Sequence, residues 1–195
     1  MNPTTWLEQL HQAILSTRCR TNGQEVSLAD GMQTFDQLLR RAMTHQQRVW
    51  WVGNGGSAAL CAHLSQDILN KLGIASHTLT DASLITCMAN DFGYESVYYR
   101  PLSVLARPTD LLIAISSSGR SENILRCVRW AQEQRLSLVT LSSMSEDNPL
   151  WQQQADVAFY LPTHLYGHAE VGHEALLHGV IETVWLSTKD RHPPL

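Results

Sequence analysis

Five short apolar or β-branched runs, RVWWVGN, ASHTLT, DLLIAISSS, LSLVTLSS and DVAFYLP, are each bounded by turn residues and separated by helical segments. Strands that alternate with helices pair in parallel, because only a crossover helix returns the chain to start a second strand in the same direction. The runs also lack polar alternation, which suits strands covered on both faces. The pattern therefore predicts an α/β fold, with a five-stranded parallel sheet flanked by helices over residues 48–195. In the first forty-odd residues the period is helical instead, with Trp6, Leu7, Leu10, Ile14 and Leu15 at three- and four-residue spacing and SLADGMQTFDQLLRRAM repeating the pattern. Residues 1–47 thus read as an N-terminal helical arm with no strands of its own, and TRCRTNGQE as a helix connection turning at Asn22-Gly23. Further helices are expected at HLSQDILNKL, in one long segment through SLITCMANDFGYESVYYRPLSVLA, at SENILRCVRWAQEQ, briefly at NPLWQQQ, and from about Glu170 to Lys189.

No repeat or linker divides the 195 residues, so one domain spanning 1–195 is expected. The 14 basic against 18 acidic side chains include no basic block, which argues against a nucleic-acid backbone as partner. No apolar run approaches the roughly 18 residues of a membrane span. The cysteines Cys19, Cys61, Cys87 and Cys127 show no metal spacing, and MNPTTWLEQLHQ lacks a charged leader with an apolar stretch, so a reducing cytoplasm is the simplest location. Cys61 reads as a small buried residue, and Trp50, Trp51, Trp130 and Trp185 as packing or subunit-contact residues.

Two loops carry the chemistry. Gly53-Asn54-Gly55-Gly56-Ser57 leads a strand into a helix, so free backbone N–H groups and the positive end of a helix dipole gather at the carboxyl edge of the sheet. It matches neither the GxxxxGK[ST] nor the GxGxxG pattern, and by itself it fits a tight turn as well as an anion cradle. The second loop, Ser116-Ser117-Ser118-Gly119-Arg120-Ser121-Glu122-Asn123, places four hydroxyls before another helix, more than capping needs and suited to the oxygens of a phosphate monoester. Arg120 reads as a solvated charge in preference to a phosphate ligand.

Together GNGGS, ISSSGRSEN, CMANDFGYE and a C-terminal helix rich in His and Glu resemble the sugar isomerase (SIS) domain, and within it the phosphoheptose isomerases. The resemblance covers nearly the whole chain. It implies a flavodoxin-like sheet, a homotetramer with sites between subunits, and conversion of sedoheptulose 7-phosphate to D-glycero-D-manno-heptose 7-phosphate. On the matching positions it implies substrate contacts for Asn54, Gly55, Ser57, Asp91, Ser116, Ser117, Ser118 and Ser121. It also implies a zinc site on His63, Asp67, Glu170 and His178, where Asp67 and Glu170 replace the family's Glu and Gln, and Lys71 replaces an Arg.

The spacing is compatible with such a site. His63 and Asp67 are four residues apart on one helix face, and Glu170, Glu174 and His178 share a stripe of the last helix. Imidazoles with carboxylates suit zinc and other borderline divalent ions. The competing reading of HLYGHAEVGHEALLH is a helix start with hydrated histidines, and His164, His168 and His173 are the alternative ligands. For aldose–ketose isomerisation the resemblance makes Asp67 the base and His178 its acid/base partner, on opposite sides of a sugar chain. A second class of function remains: the non-catalytic SIS regulators that associate with a replication initiator share both loops but lack the carboxylate and the second histidine.

Overall fold

The computed structural model describes residues 2–188, so Lys189, the expected end of the last helix, lies outside the described residues. Helix α1 (Pro3–Leu15) starts at Asn2, whose side chain accepts a hydrogen bond from the Thr5 amide, with proline in the first turn where no donor is lost. Strands β1 (Arg18–Thr21) and β2 (Gln24–Val26) follow, then α2 (Leu28–Thr44), capped by Ser27. The core continues as β3 (Val49–Gly53), α3 (Gly56–Leu72), β4 (Ser76–Thr78), α4 (Ala82–Phe92) and α5 (Tyr99–Leu105), with a 3-10 turn at Tyr94–Ser96 between the last two. It closes with β5 (Leu111–Ser116), α6 (Glu122–Gln134), β6 (Ser137–Ser142), β7 (Val157–Tyr160) and α7 (Tyr166–Thr188).

All of these strands lie in one seven-stranded sheet of order β2-β1-β7-β6-β5-β3-β4. The five expected strands are its parallel part, β4-β3-β5-β6-β7. Every residue of β3 and β5 is buried, as the uninterrupted apolar runs require when helices cover both faces. Alternate side chains separate into two cores. Trp51, Ile113 and Val139 meet Phe35, Leu64, Ile68, Leu177 and Ile181 beneath α2, α3 and α7. Trp50, Leu112 and Leu138 meet Leu102, Ile124, Val128 and Trp151 on the other face. Trp130 and Trp185 pack against these cores, in line with their structural reading.

Three sequence expectations change. The arm does contain strands: β1 and β2 form a hairpin, and β1 pairs antiparallel with β7. Its turn is Asn22-Gly23, both with positive φ (50° and 82°), the backbone that a two-residue hairpin needs. NPLWQQQ is a turn instead of a helix, because the buried Asn148 side chain accepts from the Trp151 amide at 2.8 Å and donates to the Ser145 carbonyl at 2.6 Å. The long helix through 83–106 is divided at Gly93, whose φ of 81° ends α4. Helices α1 and α2 pack along α7.

Asp110, 1% exposed, accepts hydrogen bonds from Trp50 Nε1 and from the amides of Arg48 and Arg107. Asp110→Ala orphans all three donors at the start of the central strands, so it should lower unfolding stability by about 3 kcal/mol in urea titration.

Candidate active site

The strand order reverses between β3 and β5, because the chain leaves β3 for β4 on one side and β5 lies on the other. Ligands of open α/β sheets bind at the carboxyl ends of strands at such a crevice. Both loops singled out in the sequence emerge there, since Gly53 is in register with Ile115.

In the first loop, a Cβ on Gly53 would lie 2.8 Å from the Ser57 carbonyl oxygen, so only glycine lets the strand turn into α3 this tightly. Gly55, at φ 55° and ψ −123°, occupies backbone space that side chains avoid. Asn54 and Asn123 exchange two amide hydrogen bonds, at 3.0 and 2.8 Å, tying the first loop to the start of α6. The Tyr94 hydroxyl also donates to Asn54 Oδ1, and Tyr98 donates to the Gly53 carbonyl at 2.6 Å. Asn123, Tyr94 and Tyr98 are thus site-building residues that sequence reasoning missed. Asn123 stands inside the quoted motif, but its partner is 69 positions away and no local pattern pairs them.

In the second loop Ser116 and Ser117 are buried and Ser118 is half-buried. Ser121 occupies the N-cap position of α6 without a side-chain capping bond; its oxygen accepts from Ser116 Oγ at 3.2 Å. The hydroxyl cluster is therefore turned toward the loop rather than spent on the helix. Arg120 is exposed and pairs with Asp147 at 3.0 Å, as its solvated reading anticipates. Asp91 lies exposed in the last turn of α4, with Cys87 and Asn90 as its hydrogen-bond donors.

The titratable residues meet along one seam, where α3 packs against α7. Their stripes run in the same direction. Glu170 sits against Gly56, where a Cβ would collide with its carboxylate. His63 and His178 face each other with ring centroids 5.2 Å apart. His178 Nδ1 is 3.5 Å from Asp67 Oδ2, and its Nε2 is 3.9 Å from Glu174 Oε1. Lys71 ends the seam, donating to Asp67 Oδ2 at 2.9 Å and to Glu182 Oε1 at 3.0 Å. Burial works against the Lys71 ammonium, but these two hydrogen bonds outweigh it and hold its pKa above the usual value.

Donor atoms of His63, Glu174 and His178 lie within 4.8 Å of one another, a set of two imidazoles and a carboxylate suited to a divalent cation. Of the four expected metal residues, the structure brings His63 and His178 into this group and leaves Asp67 and Glu170 beside it. Asp67 and His178 are adjacent, not on opposite sides of a cleft. The other histidines divide differently. His164 is exposed, as a hydrated histidine would be. His168 is buried and packs on Trp6, while His173 is fully buried with Nε2 3.1 Å from the Ser142 carbonyl, and burial pushes its pKa down to about 4. These two are core groups, neither hydrated nor part of the ligand cluster. Cys61 is buried, which raises its thiol pKa and leaves it a neutral core group.

The Asp67 side chain is 9% exposed and depends on Lys71 for its compensating charge, whereas Glu182 is half exposed. Lys71→Met should therefore cost about 2 kcal/mol of stability in chemical denaturation, and Glu182→Gln less than about 1 kcal/mol. Equal losses would mean that Asp67 does not depend on its cation.

Comparison with known proteins identifies the family. Residues 18–143 match the SIS domain family, a span that includes both loops and ends before α7. The phosphoheptose isomerase of Geotalea daltonii is 30% identical over 162 residues, 80% of this chain and 82% of the relative. That of Helicobacter pylori strain P12 is 31% identical over 158 residues, 78% and 81% of the two chains. The solved phosphoheptose isomerase of Neisseria gonorrhoeae superposes with a TM-score of 0.78 at 22% identity, covering 93% of this chain and 95% of that one. The chain belongs to the phosphoheptose isomerase family of SIS-domain proteins.

Proposed function

We propose that the protein is an isomerase converting sedoheptulose 7-phosphate to D-glycero-D-manno-heptose 7-phosphate through an enediol. The observation that carries this reading is the Asp67–His178 contact of 3.5 Å: a carboxylate and an imidazole held together on the α3–α7 seam suit a proton-transfer catalyst. The phosphate is assigned to Ser116, Ser117, Ser118 and Ser121 at the amino end of α6, and the sugar to Asn54, Gly55, Ser57 and Asp91. The relatives named above support an isomerase of this class.

Asp67 takes the proton from the carbon next to the carbonyl and returns it to the neighbouring carbon, with His178 holding the carboxylate in place, so the exchange is redox-neutral. Lys71 fixes the Asp67 carboxylate by donating to Oδ2. Zinc is the proposed cation, held by residues of the α3–α7 seam; when bound it polarises carbonyl and hydroxyl oxygens of the sugar. Homotetrameric assembly, implied by the family, is consistent with α4 having no buried residue and with exposed Phe92 and Tyr94 (43% and 56%) at its carboxyl end. Among the described residues no helix is long and apolar enough to cross a membrane, and a cytoplasmic location is part of the proposal.

Turnover of sedoheptulose 7-phosphate by the zinc-supplemented protein tests the reading. Asp67→Asn should abolish turnover while calorimetric binding of the phosphosugar persists. Asp67→Glu should also lose activity, by roughly a hundredfold, because the added methylene displaces the carboxylate from its seat between Lys71 and His178 by about 1 Å. Ser118→Ala should weaken phosphosugar binding roughly tenfold and spare the unphosphorylated sugar. A wild-type protein that binds sugar phosphates and turns over none would be a regulator instead.

A further inference from the structure

We infer that this chain holds its divalent cation on His63, Glu174 and His178, with Asp67 and Glu170 outside coordination. The third donor then lies one helical turn along α7 from the Glu170 position that the family resemblance implies. The inference rests on the proposed function for the presence of a cation and goes beyond it in assigning the ligands.

Three observations support the assignment. First, among the described residues, His63, Glu174 and His178 are the ones whose ligand atoms converge, within 4.8 Å of one another, with His63 exposed and the other two half-buried. A cation can reach them from solvent.

Second, Asp67 is committed elsewhere. Its Oδ2 accepts from Lys71 at 2.9 Å, and Lys71 is itself tied to Glu182 at 3.0 Å. A cation on Oδ2 would have to displace an ammonium that is 20% exposed and leave that charge poorly hydrated. The same Oδ2 lies 3.5 Å from His178 Nδ1, while His178 Nε2 faces Glu174. An imidazole with a carboxylate on one nitrogen and the ligand group on the other is the usual way a metal-bound histidine is oriented, so Asp67 belongs outside the coordination shell. There it remains available for proton transfer.

Third, Glu170 is committed to the amino end of α3. Its carboxylate occupies the space that a Cβ of Gly56 would fill, beside the positive end of the helix dipole, where a negative charge is stabilised. Four residues along α7 amount to about 6 Å of rise, so Glu170 cannot serve the N-terminus of α3 and the His63–His178 pair from one position.

The full-length protein, stripped with a chelator and titrated with Zn2+ by calorimetry, tests the ligand set. Glu174→Gln should weaken binding by more than roughly 100-fold, Glu170→Gln by less than about threefold, and Asp67→Asn by about tenfold, the size of an outer-shell effect. A gain of signal separates ligand loss from misfolding: with Co2+, Glu174→Cys should develop a thiolate charge-transfer band in the near ultraviolet, and Glu170→Cys should not. The band in Glu170→Cys alone, loss of Zn2+ binding in Glu170→Gln alone, or no Zn2+ binding by the wild type overturns the assignment. Failure of the isomerase reading is distinguishable. Zn2+ bound with the expected pattern, and no turnover of any sugar phosphate, would refute the reaction and leave the ligand set standing.

Discussion

The buried Asp67 carboxylate is compensated by the Lys71 ammonium, and the placement of the whole seam follows from that pair. Lys71 supplies the charge from the next turn of α3, and Glu182 on α7 holds Lys71 in place. The triangle is also a register device. Sliding α7 by one turn would put His178 or Leu186 opposite Lys71 in place of Glu182, separate His178 from Asp67, and take Glu170 away from Gly56. Electrostatics and packing therefore select the same alignment, with Leu64 and Ile68 of α3 and Leu177 and Ile181 of α7 sharing one core beneath the charged stripe.

The sheet fixes the other half of the site. The tight turn at Gly53 starts α3 directly beyond the end of β3, and the reciprocal amide bonds between Asn54 and Asn123 hold that turn against the start of α6. Two helix amino ends and a serine cluster then share one crevice at the point where the strand order reverses. Because His63, Asp67 and Lys71 lie on α3 itself, the first loop and the α3–α7 seam are joined through one helix. A shift of α3 would move both together.

Much of this is legible in the sequence, for identifiable reasons. The five parallel strands stand out because strands covered on both faces are continuously apolar, and the two loops because glycine and serine clusters interrupt those runs. The i, i+4 spacing puts His63 with Asp67, and Glu170 and Glu174 with His178, from helical geometry alone. Which glutamate meets His63 is not legible. Both lie on the same stripe, and only the register of α7 on α3 separates them. The Lys71–Glu182 bond, spanning 111 positions, is hidden for the same reason. The β1–β2 hairpin escapes notice although Asn22-Gly23 is a strong local turn signal, because its short strands lack apolar runs and gain their order from pairing with β7. The turn at Asn148 depends on a buried side-chain network that periodicity does not report.

If Asp67, held beside His178, moves a proton between neighbouring carbons of a sugar phosphate, that proton can exchange with solvent, and exchange is the most direct measurement of its role. Sedoheptulose 7-phosphate is turned over in D2O by the zinc-loaded protein, and the heptose 7-phosphate product is analysed by NMR and mass spectrometry. An enediol formed by an exchangeable carboxylate predicts deuterium at the carbon next to the carbonyl of the product. Product that carries no deuterium, or recovered ketose with neither turnover nor exchange at full metal occupancy, would contradict proton transfer by this pair.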